Sequence, residues 1–146
     1  MASEDGRPDQ GAPPLYLAVD PGSRKWGMAL VDATGQCVER HLTTSEEGPP
    51  TAARLAGTRS VALILVGSGT TSRDAVRALA QAVPETPLEV VPERNTTLEG
   101  RALYFRYHPP RGLARLIPRG LLSPPEPVDA YAAEALALRW LKGQKG

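Results

Sequence analysis

Val61-Ala62-Leu63-Ile64-Leu65-Val66 is six apolar residues in a row, with no polar position between them. A strand with one wet face alternates. One without a polar break is buried on both faces, so a layer has to cover each side of its sheet. The flanking segments supply the other strands and the covering layers. Leu15, Leu17 and Val19 alternate with Tyr16, Ala18 and Asp20 in a first strand. Trp26 to Asp32 is a second extended run, and Ala33-Thr34-Gly35 joins it by a tight hairpin to a third, Gln36 to Leu42, polar enough for a sheet edge. A short helix around 51–56 precedes the central strand. After it, Ser72 caps a helix through Ala75, Val76, Leu79 and Ala82 that ends at Pro84. Leu88 to Val91 makes a short fifth strand. Thr96-Thr97-Leu98-Glu99 has capping-box spacing and opens a helix toward Tyr107, which His108-Pro109-Pro110 breaks. A long connection then leads to a last helix from about Asp129 to Leu141, with 143–146 fraying. The expected architecture is α/β: a mixed five-stranded sheet in the order βββαβαβα, with helices on both faces.

At 146 residues the chain fits one domain, expected over 14–146. Residues 1–13 are acidic, rich in Pro and Gly and without an apolar stretch, which predicts a disordered tail rather than a signal peptide. The single cysteine, Cys37, excludes an internal disulfide and suits a reducing, cytoplasmic setting. No apolar run approaches the ~18 residues of a membrane span, so no membrane partner is expected. A net charge of +1 does not by itself mark a nucleic-acid binder. The distribution says more. Between Gly100 and Pro127, Arg101, Arg106, Arg111, Arg115 and Arg119 face one acid, Glu126, and Tyr104, Phe105, Tyr107 and His108 lie among them. Arginine forks pair with phosphate and aromatic rings offer faces to unpaired bases. A solvated arginine-rich loop over packed aromatics is the competing reading.

Three acids sit where the chain changes direction. Asp20 ends the first strand before Pro21-Gly22, Glu93 follows the fifth strand, and Asp129 opens the last helix. Each has an ordinary role available: turn residue, first-turn acid, helix cap. Their joint position matters more. If strands one and five both lie beside the central strand, their ends converge near the last helix, whose Ala132, Ala133, Leu136 and Trp140 share a face with Asp129. Gathered carboxylates repel and resist desolvation, so they need a counter-charge. Hard oxygen ligands suit Mg²⁺ or Mn²⁺, and a two-ion carboxylate site is a device for in-line attack on a phosphodiester. Asp32 at the hairpin, Glu39 on the edge strand and Glu99 in its capping box are left out of this set. Arg24 and Lys25 lie close enough to Asp20 in sequence to guide a strand. Gly67-Ser68-Gly69-Thr70-Thr71-Ser72 lacks the ending of a Walker loop, yet as a strand-to-helix turn it can take a phosphate, with Arg73 and Arg77 assisting. His41 and His108 form no metal pair with cysteine, and no Gly-x-Ser-x-Gly elbow is present.

Val19-Asp20-Pro21-Gly22, Gly27-Met28-Ala29, Glu93-Arg94-Asn95-Thr96-Thr97-Leu98-Glu99 and Val128-Asp129-Ala130-Tyr131-Ala132-Ala133 together resemble the YqgF/RuvX family. These are ribonuclease H-like nucleases related to the RuvC Holliday junction resolvase. The resemblance implies a ribonuclease H-like fold over nearly the whole chain after the tail. It implies catalytic, metal-binding roles for Asp20, Glu93 and Asp129, with Arg94 and Thr97 beside Glu93 helping to hold the substrate or the site. It also implies a nucleic-acid partner: RNA, in 5′-end maturation of 16S ribosomal RNA, or alternatively a four-way DNA junction. The chain departs from the family pattern at Pro92, where many members carry Asp, and at Gly67-Ser68-Gly69-Thr70, where many carry Gly-Leu/Ile-Pro. A non-catalytic nucleic-acid-binding module is the rival from another class. Monomer and homodimer both remain open.

Overall fold

The computed structural model describes residues 14–69, 71–92, 96–109 and 129–145. They form one five-stranded sheet with helices on both faces. The strands are β1 (Leu15–Pro21), β2 (Lys25–Asp32), β3 (Cys37–Thr44), β4 (Val61–Gly67) and β5 (Leu88–Val91), and the helices α1 (Gly48–Arg59), α2 (Ser72–Ala82), α3 (Thr96–Tyr107) and α4 (Asp129–Lys145). The two helices expected after the fifth strand are both present as α3 and α4, so the full element order reads βββαβαβαα. The spatial order is β3-β2-β1-β4-β5. β1, β2 and β3 pair antiparallel, while β1, β4 and β5 pair parallel. Short turns join the first group and helical crossovers the second, as chain connectivity requires.

From Ile64 onward the apolar run of β4 pairs on both edges and is covered on both faces, whereas Val61 and Leu63 are partly buried and Ala62 is exposed. Ile64 and Val66 belong to one core with Leu17, Val19, Met28, Leu30, Leu55 and Leu79, beneath α1 and α2. Leu65 belongs to the other, with Ala18, Ala29, Val31, Ala133, Leu136 and Ala137, beneath α4. At about 1.5–3 kcal/mol for each fully buried large side chain, these two layers dominate the folding free energy. The period-2 alternation of β1 therefore sorts Leu17 and Val19 to one layer and Ala18 to the other.

Three details differ from the sequence expectation. The helix expected around 51–56 spans Gly48–Arg59, because Pro49 and Pro50 occupy its first turn, where backbone N–H groups have no helical partner to lose. Thr71 rather than Ser72 occupies the N-cap position of α2. α4 runs on through Gly143 to Lys145 instead of fraying from 143. The hairpin between β2 and β3 turns at Gly35, whose φ of 95° excludes most side chains. Asp32 Oδ1 accepts from the backbone N–H groups of Thr34 (2.9 Å) and Gln36 (3.0 Å) in that turn. The expected tail 1–13 lies outside the described residues.

Candidate functional site

Parallel pairing puts the C-terminal ends of β1, β4 and β5 on one edge, and antiparallel β2 starts there. Val19 pairs with Val66, Gly67 with Val91, and Asp20 with Gly27. Asp20 shares the parity of Ala18, so it belongs to the face covered by α4. The turn after it is tight: the Gly22 N–H donates to Lys25 O at 3.0 Å, and a Cβ on Gly22 would lie 2.6 Å from that oxygen. Thr71 Oγ1 donates to Pro21 O at 2.7 Å and ties the start of α2 to the end of β1. Arg24 and Lys25 are exposed on this turn. Arg73 and Arg77 are exposed on α2.

The course of α4 follows from its contacts. Leu138 lies 3.3 Å from where a Cβ on Gly35 would stand, at the hairpin end of the sheet. Trp140 packs on Tyr16 near the start of β1, ring centroids 5.1 Å apart, and its Nε1 donates to Glu89 at 3.0 Å. Glu134 meets Arg40, which is level with Ala29 and Ala18 in the register. The helix thus runs back along β1. Asp129, five residues before Glu134, begins α4 about 7.5 Å nearer the edge that holds Asp20. β5 leaves the sheet at Val91-Pro92 on that edge, immediately ahead of Glu93. Glu93 and the side chain of Asp129 lie outside the described residues, as do Arg94, Arg111, Arg115, Arg119 and the side chains of Thr97, Glu99 and Arg101.

The aromatic segment divides. Tyr104 and Phe105 are buried, 5% and 6% exposed, and pack edge to face at 5.2 Å. Tyr104 also packs edge to face on Tyr131 of α4 at 5.5 Å, so the packed-aromatics reading holds for these two buried rings. Tyr107 and His108 are exposed, with His108 stacked on Tyr104 at 4.6 Å. α3 sits hard against α4, because a Cβ on Gly100 would lie 2.8 Å from the Ala132 nitrogen. Arg106 is exposed and lines a groove of about 470 Å³ with Ala102, Leu103, Ala135, Leu138, Arg139 and Lys142.

One group was not singled out from sequence. Glu134 is 1% exposed, the one buried charged residue among those described. Its Oε1 accepts from Arg40 Nε at 2.7 Å and its Oε2 from the Tyr107 hydroxyl at 3.0 Å. The Arg40 guanidinium carbon lies 4.5 Å from the Tyr107 ring centre and 4.7 Å from that of Tyr131. Burial, then the Glu134 hydrogen bond, pushes the Tyr107 phenol above its ordinary value. Cys37 lies beside the pair, and burial, followed by the Glu134 charge, lifts its thiol to about 12. A lone acid inside the stretch Ala132-Ala133-Glu134-Ala135-Leu136-Ala137 was the available signal. The acids set aside have structural partners: Asp32 serves its hairpin, and Glu39 pairs with Arg59 at 3.1 Å and His41 at 2.8 Å.

Among the described residues no group of three or more His, Cys, Asp or Glu side chains comes together as a metal cage, and two of the three expected ligands fall outside that set. No described helix is long and apolar enough to cross a membrane. No protein-family model and no curated protein matches the chain. Solved structures do. The chain is similar to Thermus thermophilus RuvC, with a TM-score of 0.62 and 14% identity over 90% of this chain and 96% of that one. It is likewise similar to RuvC of that organism in complex with Holliday junction substrate, with a TM-score of 0.58 and 14% identity over 91% of this chain and 96% of that one. At this identity the likeness establishes the architecture: a ribonuclease H-like α/β fold of the RuvC kind.

Proposed function

We propose that the chain is a divalent-metal-dependent nuclease that hydrolyses phosphodiester bonds in RNA, with Asp20, Glu93 and Asp129 as its metal-binding, catalytic carboxylates. The observation that carries this reading is the course of α4, which starts toward the edge where β1 ends in Asp20 and where β5 hands over to Glu93. Three hard oxygen donors at one edge fit one or two Mg²⁺ or Mn²⁺ ions. A metal held there would lower the pKa of a water and offset charge on the leaving oxygen. The chain's own part is to fix and to steer. The β1–β2 pairing and the Gly22 turn hold Asp20 at the strand end. Arg24 and Lys25, exposed at the same edge, attract the phosphate backbone.

A four-way DNA junction is the second reading, supported by the fold likeness to RuvC in complex with Holliday junction substrate. Symmetric cutting of a junction needs a two-fold pair of sites, hence a homodimer. Cleavage assays on a precursor ribosomal RNA fragment, single-stranded RNA and DNA, and a junction, each with Mn²⁺, Mg²⁺ or EDTA, separate the alternatives. We expect metal-dependent RNA cleavage that falls at least about a hundredfold in Asp20→Asn. Paired symmetric cuts in the junction alone would select the second reading. An Asp20→Asn protein that cuts at the full rate sinks the site, and binding without cutting under any metal leaves a non-catalytic module.

A further inference from the structure

Glu134 is an unusual use of a buried carboxylate. Replacing a buried ion pair with apolar side chains of similar volume is often neutral or stabilising, so stability alone does not call for it. Both of its oxygens hold groups that reach the surface: Arg40 from β3, with a side chain 28% exposed, and Tyr107 from α3, 49% exposed. The Arg40 contact uses Nε, which leaves the two terminal Nη groups of the fork for another acceptor. Two rings flank the guanidinium at 4.5 and 4.7 Å and restrict its tilt. Arg40 is therefore a pre-oriented cation beside a pre-oriented aromatic ring, a pairing that recognises a phosphate next to a base.

Its place in the sheet strengthens this. Arg40 pairs with Ala29, which pairs with Ala18, two residues before Asp20 on the same face. Two strand spacings and two residue rises put Arg40 about 12 Å from Asp20. One bound strand of a few nucleotides covers that distance. Between them, Gly27 lies next to Asp20 and is buried, whereas Leu42, next to Gly27 on the edge strand, is 43% exposed. The exposed leucine thus extends the surface beside the arginine toward the end of the sheet that holds Asp20.

The geometry points to a nucleic-acid-gripping platform on the β3 side of the candidate site, made of Arg40 and Tyr107 and set by Glu134. The Nη groups of Arg40 take a backbone phosphate of the strand, and Tyr107 stacks an unpaired base. The platform rests on the nucleic-acid reading above but not on cleavage, so binding is measured in Asp20→Asn protein with single-stranded RNA across a salt series. Arg40→Gln is expected to weaken binding and to reduce the slope of log K against log salt by about 0.7, the loss of one phosphate contact. Arg40→Lys retains the slope with reduced affinity, because an ammonium lacks the fork. Tyr107→Ala weakens binding about fivefold or more, whereas Tyr107→Phe, which keeps the ring, stays close to the parent.

Thermal melts run alongside separate folding from binding, and the Lys and Phe variants remain informative if Arg40→Gln does not fold. Parent-like affinity and slope in Arg40→Gln, or in Tyr107→Ala, with only the melting temperature lowered, would make the cluster structural and overturn the platform. Slope changes as expected, in a protein that cuts nothing when Asp20 is intact, would uphold the platform and remove the nuclease. Absence of any salt-sensitive binding removes both.

Discussion

The two faces of the sheet are built from different materials. Under α1 and α2 the layer is large and apolar, with Leu17, Met28, Leu30, Leu55, Ile64 and Leu79 all buried. Under α4 it is thinner where Ala18 and Ala29 of the sheet share a cluster with Ala133 and Ala137 of the helix; Leu65, Leu136 and Leu141 fill the rest, and the polar group Glu134 with Arg40 borders it. Large side chains keep helices at a distance and supply transfer free energy. Small ones let the helix backbone approach the strands, which gives up stabilisation in exchange for position. The face that holds Asp20 is the thin one.

That contrast is open to direct attack. The largest expected effect comes from the thick face: Leu30→Ala should cost about 2–5 kcal/mol in a denaturant melt, and leave the cleavage rate per folded molecule near the parent's. Its counterpart on the thin face, Ala133→Leu, should cost less, about 1–3 kcal/mol, yet impair cleavage more, because α4 must lift off the sheet. Equal ratios of activity loss to stability loss in the two variants would erase the distinction. Gly100→Ala comes next. Its Cβ would press on the Ala132 backbone at 2.8 Å, so α3 has to shift along α4, at about 1–2 kcal/mol by the same melt. The last effect is one of pH and is confined to alkaline solution. Cys37 is lifted from 9.0 to about 12 in the fold, so its neutral form is the one the native state favours. Above pH 9 the unfolded chain releases this proton and the native chain keeps it, so the thiol's contribution, complete below that pH, is lost as pH rises toward 12. Stability measured from pH 8 to 11 should decline less steeply in Cys37→Ala than in the parent.

The strands were legible because their periods are clean. The apolar run of β4 reads as a doubly covered strand, which its second half from Ile64 is, and β1 shows its alternation openly. α1 was drawn short because Gly48, Pro49 and Pro50 resemble a loop until their place in a first turn is known. The aromatic segment misled in part, since spacing alone cannot tell Tyr104, in the core, from Tyr107, half in solvent. In the sequence alone Arg40 is one charge on an edge strand, and Glu134 one acid in a run of alanines. Both gain meaning only from a partner 94 residues away, and no local pattern encodes such a separation. The candidate site was read from three acids at element boundaries. Of these, the side chain of Asp20 falls among the described residues.

The covering of β1 and β2 by α4 also sets an order of events during synthesis. The hairpin is complete at Asp32, and the helix that closes its alanine face begins at Asp129, about a hundred residues later. At roughly 5–20 residues per second the ribosome leaves that face uncovered for some 5–20 seconds. The nascent sheet therefore waits with Ala18, Ala29 and Val31 in water, and the last helix both shields them and delivers the end of the chain that carries Asp129. Premature termination anywhere before that helix would release a fragment that exposes a sticky surface.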